Sequence, residues 1–443
     1  MSALAAVALL SGCAATDAKQ DVPLQTQHVS WAMYQQTPGR NAVFTNYAIP
    51  QDWSYDAKAK INSGLALVGN TLLFTTFAHQ VVAVDVRSGK QLWSAQVPNI
   101  AMSTPVVAGG MVYIGTGKSG ILPRHWNIPL KLRFGNREVW GVPGGDEVAA
   151  LDLRTGKQRW AYHTVGEDMP SPVYDRGRLI FANGDWNAYA LNAQTGQELW
   201  STDLGGVSTM ASALMADGNV IVAVCTDGMR NSSSIALNPV NGKIVWRSPY
   251  GHCDASPAYG DGKVFVSSVT PGDSRLQGRT LAAALDAKTG KAIWVYHGKQ
   301  QGLWSIIGSD EAAVAGAYAD GTYYQAAPFD DELLAFDGKT GKVRWRFHTS
   351  GPAKMSPVVQ NGRVYIGDTA GLLYTLNARD GSLVELREFK QPFTTSPPII
   401  AGNKILVVNG TSVHAIPITG RPKIGEPVGW GVVSKHAHTN GRE

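Results

Sequence analysis

The stretch AALDLRTGKQRW, residues 149 to 160, is written repeatedly along this chain, and no other feature restricts the possible folds as much. Near copies end at Trp93 (VAVDVRSGKQLW), Trp200 (YALNAQTGQELW), Trp246 (IALNPVNGKIVW), Trp294 (AALDAKTGKAIW) and Trp345 (LAFDGKTGKVRW). A seventh copy, YTLNARDGSLVE, has lost its tryptophan. Each reads as two strands around a glycine turn. Before almost every copy sits another β-rich pair: STPVVAGGMVYIG from Ser103, SPVYDRGRLIFAN from Ser171, SPAYGDGKVFVSS from Ser256, SPVVQNGRVYIG from Ser356 and SPPIIAGNKILVVNG from Ser396. One unit is therefore a meander of four short strands.

Units of this kind recur about every 40 to 50 residues except across one insertion, and a four-stranded unit at that period predicts an all-β propeller. Seven hairpins and a terminal unit without its last strand give eight blades, with seven as the alternative. HVSWAMYQQ, around Trp31, is the candidate for the missing strand, which would close the ring and remove an open edge. The tryptophans at 93, 160, 200, 246, 294 and 345 are expected to reach across to the next blade, because a single blade cannot cover its own faces.

The remaining segments follow from composition. Residues 1–13 (ending ALAAVALLSGC) form a short apolar run before Cys13 that reads as a processing segment, and its Leu-Ser-Gly-Cys resembles the lipobox of bacterial lipoproteins, which implies that Cys13 becomes lipidated, although no Lys or Arg precedes the run. Residues 14–28 would be a tether, 29–420 the propeller with an insertion at 117–146, and 421–443 a polar tail. No apolar run reaches the roughly 18 to 20 residues that a spanning helix needs. A net charge of +5 with both signs interspersed is too mild to argue for a nucleic-acid partner, and none is assigned.

The motif Ala-x-Asp-x-x-Thr-Gly-Lys-x-x-Trp resembles the tryptophan-docking repeat of the pyrroloquinoline quinone (PQQ)-type eight-bladed propellers over most of the chain. Two branches share it. One, resembling BamB-type lipoproteins, implies a non-enzymatic, lipid-anchored interaction scaffold without cofactor, on the periplasmic side of the outer membrane and monomeric as a propeller. The other, the quinoprotein dehydrogenases, implies PQQ with calcium, with Asp273 at the place of the catalytic base and Asn183, Asp185 and Trp186 in a cofactor-binding loop. Asn, Asp and Gly are also what turns use. The chain lacks the adjacent Cys pair and the Cys-x-x-Cys-His haem site of those enzymes, since its cysteines are Cys13, Cys225 and Cys253. The scaffold branch is therefore favoured.

Loop lengths locate the function. First-to-second and third-to-fourth turns are short, and segments 117–146, 225–234, 268–280, 297–305 and 320–332 are expected to emerge together on the opposite face, where binding residues collect. In the largest, Arg124, Trp126, Arg133, Arg137 and Trp140, with Lys118, Lys131 and Phe134, are residue types that anchor protein partners, although a lid folded on the blades fits equally well. Cys225 and Cys253 fall on that face in adjacent blades, where a disulfide or two buried thiols could form. GTGKSG at 115–120 lacks the following helix of a phosphate site. His436 and His438 cluster only in the tail, and no metal is assigned.

Overall fold

The structure, a computed structural model, describes residues 49–117, 131–134, 137–140, 146–226, 231–271, 277–299, 301–302 and 314–418. Eight four-stranded antiparallel sheets follow one another as the blades of a propeller, and no described residue is helical. The first blade pairs Ala66–Val68, Thr71–Thr76, Gln80–Asp85 and Gln91–Gln96 in that order. Blades two to seven repeat it over 106–163, 173–203, 214–248, 258–297, 317–348 and 358–388. Inner strands are buried on both faces while fourth strands alternate with solvent, as Thr71–Thr76 and Gln91–Gln96 show. Neighbouring blades thus supply each other's core.

The eighth blade joins Ile399–Ala401, Lys404–Asn409 and Ser412–Pro417 to Trp53–Asp56, with Trp53 opposite Ala415 and Asp56 opposite Ser412. This corrects the expectation placed on the segment around Trp31, which lies outside the described residues: the position beside the last strand is filled from residue 53. The chain's two ends therefore meet in one sheet, and the ring closes through backbone pairing.

Trp53 also explains the repeat. In six blades the register shifts by one residue after the turn and sets the tryptophan opposite a small residue: Ala83 and Trp93, Ala150 and Trp160, Ala190 and Trp200, Ala236 and Trp246, Ala284 and Trp294, Ala335 and Trp345. The Ala415 and Trp53 pair is a seventh instance, made from opposite ends of the chain. Every one of these indoles donates to a carbonyl of the following blade, from Trp93 to Leu153 O at 3.0 Å through Trp345 to Ala378 O at 3.0 Å, and Trp53 donates to Val86 O at 2.8 Å. Each ring lies against a turn glycine. A Cβ on Gly89 would come within 2.7 Å of Trp53, and that glycine's φ of +69° is one that side chains rarely adopt. The motif Asp holds this turn in shape: Asp152 Oδ1 accepts from the amides of Arg154 and Thr155 at 3.1 and 2.9 Å and from the Thr155 hydroxyl at 2.8 Å.

The missing tryptophan of the seventh blade has a structural reason. Glu385 stands at its position, opposite Thr375. The blade that follows has no third-to-fourth turn, because its fourth strand comes from the other end of the chain, so no turn glycine exists for an indole to lie on. Instead Glu385, 1 % exposed, pairs with Arg387 at 2.6 Å, and Arg387 donates to Pro417 O at 2.5 Å.

The two rims differ. First-to-second turns such as Arg176–Gly177, Asp217–Gly218, Asp261–Gly262, Asp320–Gly321 and Asn361–Gly362 put two consecutive residues at positive φ, the tight hairpin turn that matches strand twist. One expected loop needs correcting here. Within 320–332, Asp320–Gly321 is such a short turn and Thr322–Ala327 is a strand, so only residues 328–331 form the connection on the other rim. Segments 225–234 and 268–280 are largely strand extensions, with Asn219–Thr226 paired to Asn231–Leu237 and Lys263–Pro271 to Gln277–Asp286. In the 117–146 insertion, Lys131–Phe134 and Arg137–Trp140 form a separate hairpin.

Candidate functional site: the central channel

Where the fourth strand of one blade leads to the first strand of the next, the chain turns in to the propeller axis and sets a short polar step there. These steps line an open cavity of about 550 Å³, measured out to its lining atoms and including the solvent at its mouth. Asn62, Met102, Met169, Met210, Asp254, Val314 and Lys354 come from seven consecutive blades, and Thr395 comes from the eighth. The wall is therefore uneven, with three thioethers side by side and a carboxylate and an ammonium further round.

The hydroxyls two residues on stitch the wall together. Gly64 N donates to Thr104 Oγ1 at 2.9 Å, Thr104 N to Ser171 Oγ at 2.8 Å, Ser171 N to Ser212 Oγ at 2.9 Å, and Ser212 N to Ser256 Oγ at 2.9 Å. Each bond satisfies a backbone N–H at the start of an inner strand, a group that would otherwise be costly to bury. The recurring Ser-Pro and Thr-Pro steps carried this signal in the sequence, where they marked only strand starts.

Beside Met210 and Asp254 lies the disulfide. Cys225 and Cys253 are joined, both fully buried, with Cα atoms 5.2 Å apart. The Cys253 carbonyl accepts from Met210 N at 2.9 Å and Ala211 N at 2.6 Å. Closing a loop across 28 residues stabilises by about 3.5 kcal/mol in the chain-entropy account. His252, 2 % exposed, sets Nδ1 3.6 Å from Asp254 Oδ2. Burial lowers the imidazole pKa, against the opposing pull of the Asp254 charge. The Asp254 carboxylate also accepts from the Thr209 hydroxyl.

A second group of carboxyls lies between blades two and three. Asp168 is 1 % exposed and its pKa is raised well above the carboxylate range by burial, with the charges of Asp185 and Asp146 adding to the effect. The Thr164 hydroxyl donates to it. Glu147, 3 % exposed, is pushed up to about 7 by burial. Its folded pKa exceeds its ordinary 4.5, so its contribution to stability is complete below about pH 4.5 and is lost as pH rises through about 7. Glu147→Gln is therefore expected to raise stability at pH 8 by about 2 kcal/mol, once solvent screening is allowed for, and to change nothing at pH 4. Urea unfolding at the two pH values measures this, and an equal effect at both would mean that the charge is not responsible.

The other expected site residues divide three ways. Asn183 is fully buried and donates to Gly166 O at 3.3 Å; Asp185 accepts from Asn187 N at 3.1 Å and from Tyr189 OH at 2.6 Å; Trp186 takes φ +75° and its carbonyl accepts from Leu204 N. These three build one turn, and none lines the cavity. Arg133, Arg137 and Trp140 fall on the insertion hairpin. Cys13, Arg124, Trp126, Asp273, His436 and His438 lie outside the described residues.

The family model described as outer membrane protein assembly factor BamB matches residues 50–124, 144–249 and 230–427. Among individual proteins, the chain is 28% identical to tetrathionate hydrolase of Acidithiobacillus ferrooxidans over 76% of this chain and 68% of that one, a likeness the sequence reading did not anticipate. It is 22% identical to the outer membrane protein assembly factor BamB of Bordetella pertussis over 83% and 88% of the two chains. The crystal structure of BamB from Moraxella catarrhalis superposes with a TM-score of 0.61 at 16% identity, covering 85% of this chain and all of that one, which supports the fold alone. Taken with the eight blades and their interlocking tryptophans, the family match over most of the chain settles its membership: the protein belongs to the family described as outer membrane protein assembly factor BamB.

Proposed function

We propose that the protein is a lipid-anchored propeller on the periplasmic side of the outer membrane, holding a protein partner of outer-membrane assembly on its long-connection rim. The observation that carries this reading is the one-sidedness of the fold: one rim carries the two-residue first-to-second turns and the glycine turns before the tryptophans, while the extended hairpins, the insertion hairpin and the connections between blades belong to the other. A rigid scaffold with one elaborated rim suits binding. Arg133, Arg137 and Trp140, on that hairpin, are the residue types that anchor interfaces. The Cys225–Cys253 disulfide fits an oxidising compartment, and Cys13 would supply the tether. Likeness to the Bordetella outer membrane protein assembly factor along most of both chains agrees with a scaffold role in that assembly.

Deleting residues 118–145 should abolish cross-linking to outer-membrane assembly proteins while leaving the melt within a few degrees of wild type. Undiminished cross-linking would remove the insertion from the interface. The PQQ reading loses support because Asn183 and Asp185 are spent on their own turn. A quinone absorbance retained by the protein after incubation with PQQ and calcium would revive it.

A second reading, hydrolysis of a sulfur-chain anion, is favoured by the cavity wall, where a carboxylate at Asp254 and an ammonium at Lys354 share a space with three thioethers. An ammonium can hold an anion, and a buried carboxylate can take a proton from water. Tetrathionate consumption by wild type and its loss in Asp254→Asn would support this; no consumption at any pH between 3 and 8, roughly the range over which a carboxylate base can be tuned, would exclude it.

A further inference from the structure

The corner of the channel wall at Cys225, His252 and Cys253 has a chemistry that neither reading uses. The two sulfurs and one imidazole nitrogen lie within 4.8 Å of one another, and all three residues are buried. No other group of three His, Cys, Asp or Glu side chains converges so closely among the described residues. Cys253 and His252 are neighbours in a tight turn closed by pairing of His252 with Ala255, while Cys225 comes from the end of the strand Asn219–Thr226 in the preceding blade. The blade scaffold therefore fixes both halves of the cluster independently of the bond between the sulfurs. Cys253 N also donates to Cys225 Sγ at 3.0 Å, a contact that would favour a thiolate there.

We propose that, once the disulfide is reduced, Cys225, Cys253 and His252 bind a thiophilic divalent cation of the zinc class, giving this wall a bridged oxidised state and a metal-holding reduced state. Two thiolates and a neutral imidazole are the donor set such ions select. Zinc–sulfur bonds of about 2.3 Å in tetrahedral geometry put the two sulfurs about 3.8 Å apart. Cysteines with Cα atoms 5.2 Å apart can reach that separation by side-chain rotation. His252 Nδ1 accepts from Asp254 N at 3.2 Å and lies 3.6 Å from Asp254 Oδ2, beyond hydrogen-bond reach, so an ion at Nε2 requires the ring proton to move to Nδ1, where the Asp254 carboxylate can close in to accept it. Asp254 also lines the channel cavity, so the cluster lies one residue from a route to solvent.

The electrons balance as follows. A water-soluble phosphine breaks the S–S bond and is oxidised to the phosphine oxide with oxygen from water, and each sulfur takes one of that water's protons. Binding of the cation then releases both thiol protons.

The test uses the full chain carrying Cys13→Ser, so that the pair are its only thiols, reduced with the phosphine, desalted without oxygen and titrated with Co²⁺. The expected result is one cobalt per chain with thiolate-to-cobalt charge transfer and the strong visible bands of four-coordination. These should be absent before reduction and in Cys225→Ser, lose their four-coordinate intensity in His252→Ala, and need about 10 to 100 times more cobalt in Asp254→Asn. No such bands in the reduced chain, or the same bands in His252→Ala, would overturn the proposal. Should reduction loosen the fold, Zn²⁺ must raise the melting temperature of the reduced chain and not of the oxidised one; an unchanged melt in the reduced chain would also overturn it.

Discussion

Replacing Trp53 with alanine should destabilise the protein by about 3 to 5 kcal/mol, the usual cost of emptying a large aromatic site. The side chain is 9 % exposed, lies on Gly89, and donates to Val86 O, so its removal leaves a void and an unpaired carbonyl at the one junction the chain's ends must make. The effect should match or exceed that of Trp160→Ala, for which about the same 3 to 5 kcal/mol is expected, because Trp160 bridges blades that are already continuous in sequence. Urea unfolding of both variants, with the exposed Leu92→Ala as a control, decides this. If Trp53→Ala unfolds with the wild type, backbone pairing alone holds the ring closed.

Arg387→Ala should cost a similar amount, about 3 to 5 kcal/mol, because it takes the paired guanidinium away from the buried Glu385 carboxylate. The double variant with Glu385→Leu should recover much of that loss, since replacing a buried pair with apolar groups is often neutral. Glu385→Trp, which restores the motif, should not stabilise, because the eighth blade has no turn glycine to receive the ring. A double-mutant cycle measures the coupling. A restored tryptophan that raised stability by more than about 1 kcal/mol, well beyond the scatter of such cycles, would show that the missing turn does not explain the lost indole.

Much of the fold was legible because its information is local and repeated. A turn needs Asp or Asn and Gly within five residues, and a Trp needs an Ala across from it after the register shift, so six of the blades wrote their own instructions. The closing strand was misplaced because its partner is more than 350 residues away. One signal could have found it. HAIP, ending at Pro417, keeps the small residue of the motif at Ala415 with no tryptophan after it, and Trp53 is the indole near the described N-terminal end that pairs with it.

The channel was less legible. Cys225 and Cys253 could be assigned to one face by counting strands, but their burial beside His252 and Asp254 came only with the folded chain. Asn183 and Asp185 are residue types that ligand loops and turns share, so the sequence left both readings open, and in the structure they hydrogen-bond in and around one turn. Met102, Met169 and Met210 sit 67 and 41 positions apart in sequence, linked only by the Ser or Thr two residues after each, which read as a strand start.

The sequence by itself determined the repeating blade and its turn chemistry and favoured eight blades over seven, since these depend on residues a few positions apart and on strand periodicity. Tertiary structure alone decided where the ring closes, why one junction uses an ion pair in place of an indole, and which side chains share the axis. Those depend on curvature summed over eight sheets, which brings residues from every blade to one point and which no local window of the chain records.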